Sequence, residues 1–527
     1  MSFSQQPFRL AVIGSGPAGV YAAETLLRSA PVKSGELQVA IDLFDRLPAP
    51  FGLIRYGVAP DHPRIKGIIT ALHRILGRGD IRFLGDVEFG TDLTLEDLRA
   101  HYDAVIFATG ALKDADLDLP GIELEGSYGA ADFVAWYDGN PDYPRTWELD
   151  AESVAVVGNG NVALDVARVL SKTADELLRT EIPGNVYEGL QAAKTTDVHI
   201  FGRRGPAQTK FSPLEARELA HPKGLQVVME ARDLEQITDA EWETIKADKR
   251  TDQVVQTFVG WLEEQQRREA AGEAPTDREG RPVQRRLHMH FWHRPVEVLG
   301  EGGDGGRVTG MRFERTRLDA EGNLEGTGEF VDYELGAVYR AVGYHGSELP
   351  GIPYDAKRGV IHNAAGRVSA ADGTVLPGLY ANGWIKRGPV GLIGATKSDA
   401  IETITALLED LEAGAVAAAP ERDGDAIVRL LEDRGVEYTT WDGWMALDEH
   451  EKSLGAAAVD ADGEPRARIK VVEREEMVRV SRRRCTSPRT PEPRTRSRHP
   501  AAGPGSDRST GPGPRPCRMS APWRPLL

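Results

Sequence analysis

Twice in this chain an apolar run breaks at two glycines one residue apart and opens directly into a helical pattern, "VIGSGPAGVYAAETLL" at 12–27 and "VAVVGNGNVALDVARVL" at 154–170. Strand, glycine turn and helix in that order make a cradle for a pyrophosphate, because backbone amides and the positive end of the helix dipole converge on the turn. In the first, Gly14 permits the turn, Gly16 lets an anion approach the backbone, and Gly19 lets the helix pack closely on the strand. The second has Gly158, Gly160 and Ala163 in the same spacing. Both cradles must sit at the ends of buried parallel strands, which confines the chain to a doubly wound α/β class with two Rossmann-like dinucleotide-binding units.

The next strand after each cradle tells the two apart. "VAIDLFD" (39–45) ends in Asp45, placed to accept hydrogen bonds from a ribose, whereas "DVHIFGRR" (197–204) ends in Arg203 and Arg204. An acid at the second place would repel a 2′-phosphate, and paired guanidinium groups match its oxygens, so the second cradle is expected to take NADP(H). One acid-ended and one arginine-ended site imply two different dinucleotides, FAD with NADPH, and electron transfer between them. "YDAVIFATGA" (102–111) and "YRAVGY" (339–344) end in small residues where the chain is expected to pass between the two units.

The 527 residues suggest about three domains. No apolar stretch nears the ~18 residues of a membrane span, and the residues before Arg9 hold neither a basic nor an apolar leader segment, so a cytoplasmic location is expected. The net charge of −17 is unevenly placed: residues 482–527 carry eleven arginines against one Asp and one Glu, which leaves a strongly acidic body that repels nucleic acid. Both cysteines, Cys485 and Cys517, lie in that Pro/Arg-rich tail, which reads as disordered. The body therefore has no thiolate metal site, iron–sulfur cluster or redox dithiol, and no metal site is expected. Residues 263–282 read as a charged helix end, 300–310 as a hairpin loop, and 412–426 as a separator before a small helical segment containing "DGWMALDEHEKSLG".

Together "VIGSGPAG", "FGLIRYGVAPDHPRIK", "VVGNGNVALDVAR", "GRRGPAQTKFSPLEARELA" and "GWIKRGPVGLIGATK" resemble the adrenodoxin-reductase-like ferredoxin–NADP reductases, FAD enzymes of mitochondria and bacteria, over about residues 8–480. The resemblance implies a discontinuous FAD domain, 1–112 with 350–480, embracing an inserted NADP domain, 113–349, with 481–527 as the tail. It implies cofactor contacts at Gly14, Gly16, Ala18, Gly19, Asp45, Leu53, Val87, Trp384 and the backbone of Gly391, Leu392 and Ile393, where a helix should open. For NADP(H) it implies Gly158, Asn159, Gly160, Asn161, Arg203, Arg204 and Glu215. His62, Asp165 and Glu218 would form a catalytic polar network near the flavin ring. Ser212, Pro213 and Glu215 also spell a capping box, which by itself accounts for Glu215. Two departures stand out: Asp45 replaces a glutamate, and Ala115 stands where an NADP-contacting arginine is expected, leaving Lys113 as its substitute.

The implied function is hydride uptake from NADPH and release of single electrons to a small acidic iron–sulfur ferredoxin, docked near Arg217, Lys249 and Arg250. The competing readings are an NADPH-dependent quinone or diaphorase-type reductase and a non-catalytic NADP(H)-sensing flavoprotein. A disulfide reductase is opposed by the missing cysteines.

Overall fold

The computed structural model describes residues 6–301, 305–391 and 394–483, so the tail beyond Arg483, and Leu392 and Ile393, lie outside the description. Strand Phe8–Ile13 is buried at every position, as a near-continuous apolar strand is when helices cover both faces of a parallel sheet. Val39–Asp45 and then Ile81–Gly85 flank it on one side, and Ala104–Phe107 and then Val375–Ala381 on the other, all parallel. The antiparallel pair Asn363–Ala364 and Arg367–Ser369 extends this sheet.

The second sheet is parallel throughout, in the order Ser127–Gly129, Ala337–Arg340, Ser153–Val157, Asp197–Phe201, Arg285–His290, Leu225–Met229. In each sheet the strand order reverses beside the strand that feeds a glycine turn, next to Ala104–Phe107 in one and Ala337–Arg340 in the other. Doubly wound sheets take their ligands at that reversal, because the loops there diverge and leave a crevice. The chain passes between the sheets along Lys113–Asp114 and Tyr344–His345, which pair antiparallel.

Strands His293–Glu301, Arg307–Leu318 and Leu324–Glu334 form a three-stranded antiparallel sheet; of the expected 300–310 hairpin loop, 300–301 and 307–310 belong to the paired strands, and residues 302–304 lie outside the described residues. It packs Met311 and Phe313 against Phe201 of the second sheet. The C-terminal segment is no separate body. Trp444, on helix Trp441–Ala456, is buried in the first core with its ring edge-on to Phe51, centroids 5.6 Å apart.

Candidate functional site

The two glycine turns are built alike. Gly14 N–H donates to Phe44 O at 2.7 Å and Gly158 N–H to Phe201 O at 2.9 Å; Ala108 N–H donates to Ile13 O at 2.7 Å and Ala341 N–H to Val157 O at 2.8 Å. Gly14 has φ +109°, and a Cβ there would lie 2.5 Å from Ala108 O; Gly158, at φ +147°, would strike Ala341 O. Both positions therefore exclude a side chain on conformation and on contact. Gly19 excludes one by contact alone, since a Cβ would strike Gly14 O. Space opens on the ligand side: a Cβ on Gly160 would meet nothing within 4 Å, and one on Gly16 only Gly52 Cα at 3.9 Å. Several buried polar atoms at the turns have no hydrogen-bond partner among the described residues: Thr109 Oγ1 beside the first, Asn159 Oδ1 and Nδ2 and Asn161 Oδ1 at the second. Buried polar groups are normally paired, so these fit a polar ligand in each cradle.

Asp45 is already committed to its own turn. Its Oδ2 accepts from Ser15 N–H at 2.7 Å and Ser15 Oγ–H at 2.6 Å, and its Oδ1 from Leu47 N–H at 2.9 Å. Burial pushes its carboxyl up, against those hydrogen bonds. Strand register then refines the reading of the second cradle. Ile13 faces Phe44 and Val157 faces Phe201, so the residue in Asp45's place is Gly202, not an arginine. Asn159 fills the vacated space, since a Cβ on Gly202 would lie 2.9 Å from its Nδ2. Arg203 and Arg204 follow, exposed, and neither is in an ion pair among the described residues. All three carbonyls of this turn are held: Gly202 O by His293 N–H at 2.9 Å, Arg203 O by Thr316 Oγ–H at 2.8 Å, and Arg204 O by Trp292 N–H at 3.3 Å. Trp292 is buried in the left-handed region at φ +61°. Sequence reasoning missed this clamp.

The remaining expected contacts fall on both sides of the first cradle. Val87 is buried and its N–H donates to Asp45 O at 2.9 Å. Leu53 lines a crevice with Tyr56, Ala111, Val134, Tyr143 and Tyr344. Asn382 Nδ2–H donates to Ala18 O at 2.8 Å, which seats the loop before Trp384 on the cradle helix. Trp384 is half-buried and opens a single turn, Trp384–Arg387, that Lys386 ties to Asp399 at 2.9 Å. The helix expected to open at Gly391 begins instead at Ala395 with Gly394 as its N-cap; Gly391 stands exposed at φ +85° in the preceding loop, a conformation that interrupts a helix. Lys113 is exposed on the crossing strand, and Ala115 N–H donates to Gly343 O at 2.8 Å.

An ion-pair chain joins the "DHP" segment to the second cradle helix, Asn161–Ser171. Arg168 donates to Asp61 through Nε at 2.6 Å and Nη2 at 2.8 Å, and to Asp165 Oδ1 at 2.8 Å. His62 Nε2 lies 2.9 Å from Asp165 Oδ1 and 2.8 Å from Arg168 Nη2, and Nδ1 lies 3.7 Å from Glu218 Oε2. Burial alone would raise the Asp61 carboxyl, but the hydrogen bonds and charge of Arg168, with Lys172 behind it, hold it well below the usual range. His62, Asp165 and Glu218 are thus brought together. Glu215 closes the capping box, accepting from Ser212 N–H at 2.5 Å while Ser212 Oγ accepts from Glu215 N–H at 3.2 Å. Tyr137, unforeseen, puts nearby a buried hydroxyl that has no hydrogen-bond partner among the described residues; burial, then the Asp165 charge, push its phenol far up.

A family model described as pyridine nucleotide-disulphide oxidoreductase matches residues 8–280. The chain is 37% identical to the mitochondrial NADPH:adrenodoxin oxidoreductase of Arabidopsis thaliana, over 86% of this chain and 92% of that protein. It is 36% identical to the NADPH-ferredoxin reductase FprA of Mycobacterium tuberculosis, over 90% and 99%. The solved structure of Mycobacterium tuberculosis FprA in complex with NADPH matches with a TM-score of 0.79 and 35% identity, covering 90% of this chain and 100% of that one. With two such cradles and this likeness over most of its length, the chain belongs to the family of the NADPH:adrenodoxin oxidoreductases and NADPH-ferredoxin reductases.

Proposed function

We propose that this protein is an FAD-dependent reductase that takes a hydride from NADPH and passes electrons singly to a small acidic iron–sulfur ferredoxin. The observation that carries the reading is the continuous chain Asp61–Arg168–Asp165–His62–Glu218, which links the segment after the first cradle to the helix of the second. FAD, when bound, supplies the conversion between a two-electron donor and a one-electron acceptor. Gly14, Gly16, Gly19 and Thr109 would hold it, with Leu53, Val87, Ala18 and Trp384 around its ring and nucleotide parts. Gly158, Gly160, Asn159 and Asn161 would hold the pyrophosphate of NADPH, with Arg203 and Arg204 on its 2′-phosphate.

His62 manages a proton in this scheme. With the proton on Nε2 the ring donates to Asp165; with it on Nδ1, Nε2 accepts from Arg168 and the proton faces Glu218. Asp165 Oδ1 favours the first arrangement and the Arg168 guanidinium the second, with the ring in one position. For the acceptor, Arg217, Lys249 and Arg250 are exposed and in no ion pair among the described residues, and Arg250 Nη2 reaches Lys210 O at 3.4 Å, drawing a fourth exposed cation alongside. Unpaired cations on an acidic protein form a local site for an acidic partner.

No helix of the described residues is long and apolar enough to cross a membrane. A cytoplasmic setting belongs to this reading, and cell fractionation tests it. Anaerobic mixing should bleach the visible flavin band faster with NADPH than with NADH, and cytochrome c reduction should then require added ferredoxin. Cytochrome c reduction indifferent to every acidic ferredoxin tried would overturn the acceptor assignment.

A further inference from the structure

One face of the second sheet departs from what a buried parallel sheet needs. Val198, Ile200, Leu287 and Met289 point into the large helix-covered core, while the alternate positions on the same strands carry His199, Phe201, His288 and His290, against the three-stranded sheet. An apolar residue would suit each of those histidine positions better, unless the imidazoles have something to bind. One ring nitrogen from each histidine lies within 4.8 Å of the others.

Two carboxylates orient the rings. Glu230 Oε1 lies 3.0 Å from His290 Nδ1, and Asp197 Oδ1 lies 2.8 Å from His288 Nε2. A carboxylate that accepts a hydrogen bond from one ring N–H leaves the lone pair on the other nitrogen, which is how metal-ligating histidines are held. The nitrogen so freed on His290, Nε2, is 3.0 Å from His199 Nδ1, close to the ~3.3 Å between two nitrogens on one tetrahedral zinc at bond lengths of about 2.0–2.1 Å. The rings of His199 and His288 are stacked, centroids 4.2 Å apart, so His288, half-exposed at the rim, is the one that must turn its Nδ1 inward.

We propose that His199, His288 and His290 form a site for a divalent transition-metal ion of the zinc class, with Asp197 and Glu230 as the carboxylates that orient the ligating rings. An all-imidazole set disfavours calcium and magnesium, which demand oxygen. The ion would sit between the parallel sheet and the three-stranded sheet, and it takes no part in the electron path.

The test uses the full-length, FAD-loaded protein with Cys485 and Cys517 replaced by serine, stripped with a chelator and titrated calorimetrically with zinc chloride. One zinc per chain is expected, uncompeted by calcium. His288→Ala should weaken it by more than ten-fold, and Asp197→Asn, which keeps all three ligands, by about ten-fold. Flavin content equal to the parent's identifies folded variants. Absence of a saturable site in the parent, or undiminished affinity in a flavin-loaded His288→Ala or Asp197→Asn, would overturn the assignment.

Discussion

A guanidinium with the 2% exposure of Arg168 is tolerable only because Asp61 and Asp165 both face it. In the sequence it is one more polar residue on an amphipathic helix, and nothing local distinguishes it; His62 and Asp165 were legible through the motifs around them, but the arginine that couples them was not. Arg203 and Arg204 are the opposite case, exposed and without a carboxylate partner among the described residues, so removing them orphans none of those residues. Replacing both with alanine should leave the melting temperature unchanged and raise KM for NADPH by ~10–150-fold, from about 1.5–3 kcal/mol of charge-assisted hydrogen bonding, with little effect on NADH. Equal losses with both nucleotides would contradict the 2′-phosphate role. Asp114, on the crossing strand, carries a pH dependence. Burial pushes its carboxyl up to about 7, against hydrogen bonding from Ala131 N–H. The folded state then holds a proton that the unfolded state releases from about pH 4 upward, so stability falls as pH rises toward 7. Asp114→Asn removes that cost: its urea midpoint should exceed wild type at pH 8 and converge with it near pH 4, and a lower midpoint at pH 8 would refute the sign.

The turn that presents Arg203 and Arg204 belongs to one strand but is shaped by others. Its carbonyls are held by Trp292, His293 and Thr316, of which two use backbone donors that no side-chain pattern reveals. The glycine turns were legible because a close contact or a positive φ excludes any side chain. The clamp was not, because it depends on how a bulged antiparallel strand meets a parallel one. The misplaced helix start before Ala395 has the same origin: glycine spacing announces a turn but leaves open how many residues the loop spends before the helix. Thr316 isolates the clamp from the cation chemistry. Thr316→Val keeps shape and loses one donor to Arg203 O, worth about 0.5–1.5 kcal/mol. KM for NADPH should rise by roughly 2–12-fold with kcat unchanged, and Thr316→Ser should restore it. A serine variant as poor as the valine one would show that packing, not the hydroxyl, matters there.

The first cradle rests on the far end of the chain. Lys470 Nζ–H donates to Arg55 O at 2.6 Å and to Asp138 O at 2.9 Å, and Thr439 Oγ–H to Pro48 O at 2.8 Å. Arg55 itself is paired with Glu451, both essentially buried, through Nη1 at 3.0 Å and a second contact between Nη2 and Oε1. Partners nearly four hundred residues apart leave no periodic signal, which is why "DGWMALDEHEKSLG" reads as a detached helical segment although Trp444 completes the core under Phe51. The consequence is energetic as well as topological. Removing one member of a buried pair leaves an uncompensated charge and costs about 3–5 kcal/mol, more than the pair contributes when intact. Because Arg55 lies two residues from Leu53 on the single helical turn Leu53–Tyr56, that cost should appear at the crevice proposed for the flavin. Glu451→Gln is therefore expected to lower the urea midpoint and to release flavin on gel filtration, while the double change Arg55→Met with Glu451→Gln, which removes both charges and keeps an acceptor for the Val471 N–H that Glu451 Oε1 holds at 3.0 Å, should recover much of the midpoint. If the single variant keeps its flavin and its midpoint, Arg55 has found water, and the C-terminal segment does not brace the first cradle.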